Sequence, residues 1–236
     1  MPRLDHRRCV LLLTAAWLIA VALFVGAPRL DLWVSALFYD PQRGFWLAAN
    51  PWLEALRQFA WDFSLALLAL ALLALIVGIW RRPPLAGVPL RAWGFVAGLY
   101  LLGPGLLVNG VLKSQWGRAR PAAVAEFGGT ARFTPAGVIT DQCASNCSFV
   151  SGEGAGAAAL AISLLLLLFH LRPRLPHWAV RLWLGLALGL SLLAAMLRVA
   201  TGRHFLSDTV FAVLLVATLA LALHRLFAPR DAAGGR

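Results

Sequence analysis

Six long apolar stretches, at 10–27, 60–80, 92–112, 154–171, 178–197 and 205–227, dominate this chain. A helix needs about 20 mostly apolar residues, within a range of about 17–25, to cross the hydrocarbon core of a bilayer. Inside that core every backbone N–H and C=O must be satisfied by the segment itself, which leaves helices for stretches of this kind. Composition agrees. Hydrophobic residues make up 61% of the 236 residues and charged residues only 13%, against about 45–50% and about 25% for soluble globular chains. Mean hydropathy is +0.78. A soluble globule of this length could not hide so much apolar side chain, and disorder needs the opposite composition. The expected fold is therefore all-α: a polytopic membrane protein with a six-transmembrane-helix bundle, forming a single domain over 1–236.

The net charge is +11, and Lys113 is the only lysine. No basic run exceeds two residues, so nucleic acid is not an expected partner. With six spans both termini share one side. That side carries twelve arginines: Arg3, Arg7, Arg8, Arg81, Arg82, Arg91, Arg172, Arg174, Arg181, Arg225, Arg230 and Arg236. The other carries nine basic residues, five of them inside the motifs below. Cytoplasmic loops collect Lys and Arg, so both termini are expected in the cytoplasm, with loops 28–59, 113–153 and 198–204 facing outward. Arg3, Arg7 and Arg8 before the first span resemble the start of a signal peptide, but Pro28 follows and no clear small-residue cleavage site is present, so the span is expected to be retained. The first outer loop carries Trp33, Trp46, Trp52 and Trp61. Its stretches 31–38 and 51–59 read as short interfacial helices, either a lipid-guiding platform or ordinary anchors.

Ionisable groups at the edges of apolar spans are costly and often mark function. Here they form three outward clusters. The third span ends in Lys113-Ser-Gln-Trp-Gly-Arg118-Ala-Arg120-Pro121, three cations on the side where the charge rule disfavours them. Gathered cations suit a phosphate, whose oxygens Arg can grip in a bidentate fork. The stretch Ser148-Phe-Val-Ser151-Gly152-Glu153-Gly154 leads into the fourth span; small residues at a helix N-terminus offer N–H groups to an anion, and simple capping by Ser151 is the alternative. Between the fifth and sixth spans lie Arg198, His204 and Asp208. His204 and Asp208 are four residues apart, one helical turn, so a carboxylate there could hold one imidazole nitrogen and leave the other as nucleophile or base. The remaining histidines, His6, His170, His177 and His224, fall on the opposite side and cannot join His204 in a metal site. No metal and no cofactor are expected. Cys143 and Cys147 are four residues apart, and their pairing is left open by the sequence.

Together the clusters resemble the type-2 phosphatidic acid phosphatase family, whose pattern is K-x6-R-P, P-S-G-H and S-R-x5-H-x3-D. Lys113 to Arg120-Pro121 fits the first. Arg198, His204 and Asp208 fit the third, with Leu197 in place of its Ser. Val150-Ser151-Gly152-Glu153 stands for the second. The resemblance covers roughly 93–227. It implies a metal-free phosphatase acting through a phosphohistidine, with His204 as nucleophile and Asp208 orienting it. Lys113, Arg120, Ser151, Gly152 and Arg198 would bind the phosphoryl oxygens, and charge neutralisation around the transferring group would supply most of the rate. Glu153 replaces the family's His, which protonates the leaving oxygen. A carboxyl does that work only when protonated, which calls for burial. Otherwise Glu153 helps indirectly while water or substrate supplies the proton, or the role of the protein has changed.

The stretch 141–153 resembles a bacterial branch that includes lipid A phosphatases. In an oxidising periplasm a Cys143–Cys147 disulfide could pin the catalytic loop. The resemblance thus implies an inner-membrane enzyme of a bacterium, removing phosphate from a membrane lipid on the periplasmic side. Lipid A, undecaprenyl pyrophosphate, phosphatidylglycerol phosphate and phosphatidic acid are the candidate substrates. A lipid phosphotransferase and a non-catalytic lipid-phosphate binding or transport protein remain alternatives.

Overall fold

Each apolar stretch becomes a helix; the first five begin one or more residues before the apolar run, where a polar group or proline sets the start, and the sixth begins at Leu206, one residue inside its run. Residues 1–80 and 84–228 are described by the computed structural model; Arg81, Arg82, Arg230 and Arg236, used above for orientation, lie outside the described residues. α1 is His6–Gly26, a short α2 is Arg29–Ala36, and α3 is Pro51–Trp80. α4 is Leu90–Gln115, α5 is Gly152–Arg174, α6 is His177–Ala200 and α7 is Leu206–Phe227. Six of these, all but α2, are long and apolar enough to cross a membrane. Asp5 caps α1 by accepting from Arg8 N at 3.1 Å. Asn50 caps α3 through Trp52 N at 3.0 Å, and Ser151 caps α5 through Gly154 N at 3.0 Å.

α5 is the most buried of the six and forms the axis of the bundle. Its opening run, Gly152-Glu-Gly-Ala-Gly-Ala-Ala-Ala, explains why. Small side chains let neighbouring backbones approach, which is how helices pack without a hydrophobic driving force between them. Ala155 and Ala159 are fully buried. Single hydrogen bonds then tie helices in pairs: Ser64 Oγ to Tyr100 Oη (2.9 Å) joins α3 to α4, Trp183 Nε1 to the Leu164 carbonyl (2.8 Å) joins α6 to α5, and Trp17 Nε1 to Thr218 Oγ1 (3.0 Å) joins α1 to α7. The outward faces carry exposed Leu11, Leu12, Leu18, Ile79 and Leu226, as lipid contact requires.

Two departures from the expectation bear on function. Residues 51–59 are not a separate interfacial helix but the first turns of α3. At 30 residues and about 1.5 Å per residue that helix is roughly 45 Å long, so it reaches past the hydrocarbon core and carries Glu54 and Arg57 to the site. The stretch 31–38 is helical only to Ala36, and α2 is anchored by burial of Asp31 and Ser35 rather than lying free. Next comes a small antiparallel hairpin, β1 (Tyr39–Asp40) and β2 (Gly44–Phe45). Its turn is made by Asp40, whose carboxylate accepts from Gln42 N and Arg43 N, both at 2.9 Å. α4 also departs from regularity: over Leu101–Leu112 it widens into π-helical winding around Pro104, whose carbonyl receives Asn109 Nδ2 at 2.7 Å. A proline removes one ladder donor and crowds the turn before it, and such wide turns gather at functional sites.

Candidate active site

All three charged clusters meet at one end of the bundle, and backbone hydrogen bonds stitch them together. Ser148 N donates to the Arg118 carbonyl (2.9 Å), Ser151 N to the Asp208 carbonyl (3.1 Å), and both Arg203 N and His204 N to the Arg198 carbonyl (3.0 and 3.1 Å). Residues distant in sequence are thereby fixed before any side chain is considered.

Beneath the site lies a buried polar core. Arg118 is wholly inaccessible. Its Nη2 donates to Asp31 Oδ2 at 2.8 Å, its Nη1 to Asp208 Oδ1 at 2.5 Å and Ser207 Oγ at 2.8 Å, and its Nε to the Thr134 carbonyl at 2.8 Å. The guanidinium stacks on the Phe205 ring at 4.3 Å. Asp31 in turn accepts from Ser207 N at 2.9 Å and from Ser207 Oγ. Buried charges persist only when paired and hydrogen-bonded, and this set meets that condition.

His204 is also buried. Its Nδ1 lies 2.8 Å from the Ser148 carbonyl and 3.8 Å from Asp208 Oδ2. The direct orienting bond is therefore to Ser148, not to the carboxylate assigned that role from sequence. Asp208 is already engaged: besides Arg118, its Oδ2 accepts from Ser148 Oγ at 2.5 Å and from Phe205 N at 2.8 Å. Asp208 thus acts on His204 through its charge and by fixing Ser148. A carbonyl only accepts, so Nδ1 must carry the ring's hydrogen, and the neutral ring then has its lone pair on Nε2. Burial pushes the His204 pKa below the ordinary histidine value, with the charge of Asp208 opposing, so the neutral ring is favoured.

Cations surround the position in front of this ring. Lys113 Nζ is 3.2 Å from Asn146 Oδ1, and Arg120 Nη2 donates to the Asn146 carbonyl at 2.8 Å. Asn146 holds a left-handed backbone (φ 49°) inside the Cys143–Cys147 disulfide, whose Cα atoms are 5.7 Å apart. The pairing left open by the sequence is thus present, and it shapes the loop that aims two cations. Burial, and then the charge of Arg203, press the Arg120 pKa downward. Gly152 completes the cradle by its lack of a side chain: a Cβ there would stand 2.8 Å from Asn109 Oδ1 and 3.1 Å from Lys113 Nζ. Ser151 is buried, with its hydroxyl accepting from Gly154 N.

Glu153 lies between two arginines. Arg57 Nη1 donates to its Oε1 at 3.1 Å, and Arg198 Nε stands 2.8 Å from Oε2, close enough for an ion pair but without hydrogen-bond alignment. Arg57 is bound from its other side by Glu54 at 2.6 Å. Both oxygens of Glu153 therefore face guanidiniums.

Every sequence-predicted site residue lies in this one assembly. Sequence reasoning missed Asp31 and Asn109, placed Asn146 and Ser148 in motif stretches without a role, did not assign Arg118 its buried role, and left Arg57 among ordinary loop charges. Asp31 alone carried a signal, a single acid between apolar residues ahead of the main motifs. Among the described residues no three His, Cys, Asp or Glu side chains converge as a metal site requires.

The sequence model of the PAP2 superfamily matches residues 93–231. The chain belongs to this superfamily. Asp31, Arg57 and the hairpin precede the matched region. Curated relatives include proteins named lipid A 4'-phosphatase from Rhizobium leguminosarum (42% identical over 113 residues, 48% of this chain and 45% of the relative) and Rhizobium etli (38% over 130 residues, 51% and 48%). A third, from Francisella tularensis subsp. novicida, is 38% identical over 121 residues, 51% of each chain. The matched stretch is thus about half the length of each relative. No solved structure matches the chain.

Proposed function

We propose that this chain is a metal-independent lipid phosphatase working through a phosphohistidine, with lipid A as its substrate. The observation that carries the reading is the His204 tautomer: Nδ1 is committed to the Ser148 carbonyl, so the Nε2 lone pair is left to react where Lys113, Arg120 and Arg198 converge. Nε2 attacks phosphorus, the P–N bond forms and the P–O bond to the lipid breaks. The leaving oxygen takes a proton from water at the rim. A second water then attacks phosphorus and gives its proton to the hydroxide left by the first, the P–N bond breaks, inorganic phosphate departs and the lone pair returns to Nε2. Cations held before the reaction starts need no reorganisation as charge spreads over the transferring group, which is where most of the rate arises.

Two further points support the reading. The curated relatives are named lipid A 4'-phosphatases, which supports lipid A as the substrate. The disulfide beside Asn146, together with the arginine asymmetry, supports a site on the periplasmic face of a bacterial inner membrane, because such bonds persist in oxidising compartments. The test is phosphate release by the purified protein in detergent with EDTA present, from lipid A and from the other three candidate lipids. Release from lipid A that vanishes in His204→Ala is expected; His204→Ala activity near that of the parent refutes the phosphohistidine, and release from another lipid alone refutes the substrate.

A further inference from the structure

The hairpin β1–β2 is pinned to the loop that carries His204. Gly202 holds a left-handed backbone (φ 68°), and any Cβ there would run into the Phe45 ring. Phe45 also packs against Tyr39 at 5.4 Å and Phe127 at 5.3 Å between ring centroids, and Ala122 N donates to the Gly202 carbonyl at 3.0 Å. This clamp leaves an open cavity of about 440 Å³ between hairpin and catalytic loop, lined among others by Tyr39, Arg43, Thr201 and Arg203. That volume is within the range of about 300–1,000 Å³ typical of ligand sites. Arg43 and Arg203 are exposed. Among the described residues, neither side chain makes a salt bridge or hydrogen bond, whereas Arg57, Arg118 and Arg198 are all paired with carboxylates. Arg203 is next to the nucleophile in sequence and its charge is felt by Arg120 of the cradle.

Two guanidiniums that are unpaired among the described residues thus line one cavity, and one of them, Arg203, adjoins the phosphate cradle through its effect on Arg120. We propose that Arg43 and Arg203 hold a second phosphate of the substrate headgroup while the first reacts at His204. This inference rests on the lipid-phosphate reading and names the feature that selects among such lipids: a second phosphate on the same headgroup. A monophosphorylated lipid fills the cradle alone; a doubly phosphorylated one fills both.

Binding is measured in the His204→Ala background, where turnover cannot intervene, with lipid A carrying two phosphates, lipid A carrying one, and inorganic phosphate as a competitor. Arg43→Gln and Arg203→Gln, both at exposed positions, are each expected to raise Kd for the doubly phosphorylated lipid about tenfold, the size of one charge-assisted hydrogen bond at a partly exposed site, and to leave Kd for the singly phosphorylated lipid within about twofold. Competition by inorganic phosphate that Arg43→Gln abolishes, with Kd for the doubly phosphorylated lipid unchanged, assigns the site to free phosphate and overturns the headgroup role. Equal loss for the one- and two-phosphate lipids overturns the proposal, as does no loss for either. Since binding is read without turnover, absence of phosphatase activity in the parent protein would sink the functional reading and not this site.

Discussion

Replacing Asp31 by Ala tests whether the buried core holds the site. Asp31 accepts two bonds from Ser207 and one from Arg118, all inaccessible to solvent. Its removal strips Ser207 N–H of its acceptor, a loss of about 1–3 kcal/mol for a buried unsatisfied donor. It also leaves Arg118 with one carboxylate instead of two; removing one member of a buried pair costs about 3–5 kcal/mol. The two losses share Ser207 and Arg118 and do not add, so about 3–5 kcal/mol is the expected total. For a chain of this length 1 kcal/mol shifts Tm by roughly 2–4 °C, giving a drop of roughly 6–20 °C. Tryptophan fluorescence on heating in detergent reads it directly. Asp31→Asn, which keeps the shape and one acceptor, is expected to lose about half as much. The loss is expected to be the same in low and high salt, because buried pairs are little screened. A Tm within about 2 °C of the parent, or a shift that high salt erases, would refute the assignment of Asp31 to this network.

Glu153→Gln is expected to lower kcat/KM about tenfold, mainly through KM, since it loosens Arg198 without removing a proton donor; a fall in kcat of about a hundredfold or more, as general acid catalysis would give, contradicts this. Burial lowers the His204 pKa, so the neutral nucleophile persists to lower pH than in a free histidine, whose value is about 6.5. The acid limb of kcat/KM is expected below that value, and an acid limb above pH 7 contradicts it. Stability follows the same sign: below about 6.5 the unfolded chain binds a proton that folded His204 resists, so Tm is expected to fall as pH drops through that region, by less in His204→Ala. The double substitution Cys143→Ser with Cys147→Ser frees the loop holding Asn146 and is expected to raise KM several-fold with kcat little changed, read by phosphate release; unchanged KM contradicts the loop's part in aiming Lys113 and Arg120.

The sequence alone determined the architecture and which charged groups gather at one end of the bundle. Six apolar runs of spanning length admit only helices in lipid, because the backbone must satisfy itself there. Lys113, Arg120, Arg198, His204 and Asp208 were legible because charges at span edges are costly and their spacing resembles the phosphatase pattern. The tertiary structure decided how those groups are held. Asp31, Ser148 and Asn146 act through contacts across large sequence separations, such as Asp31 to Ser207 and Asn146 to Lys113, and no local periodicity marks them. The His–Asp spacing predicted a direct bond, yet Arg118 claims the carboxylate and a backbone carbonyl takes its place. Spacing says which groups share a helical turn. Only the packed chain says which of several competing partners each buried group obtains, because each donor and acceptor has few places to fill and the choice is made by neighbours far away in sequence.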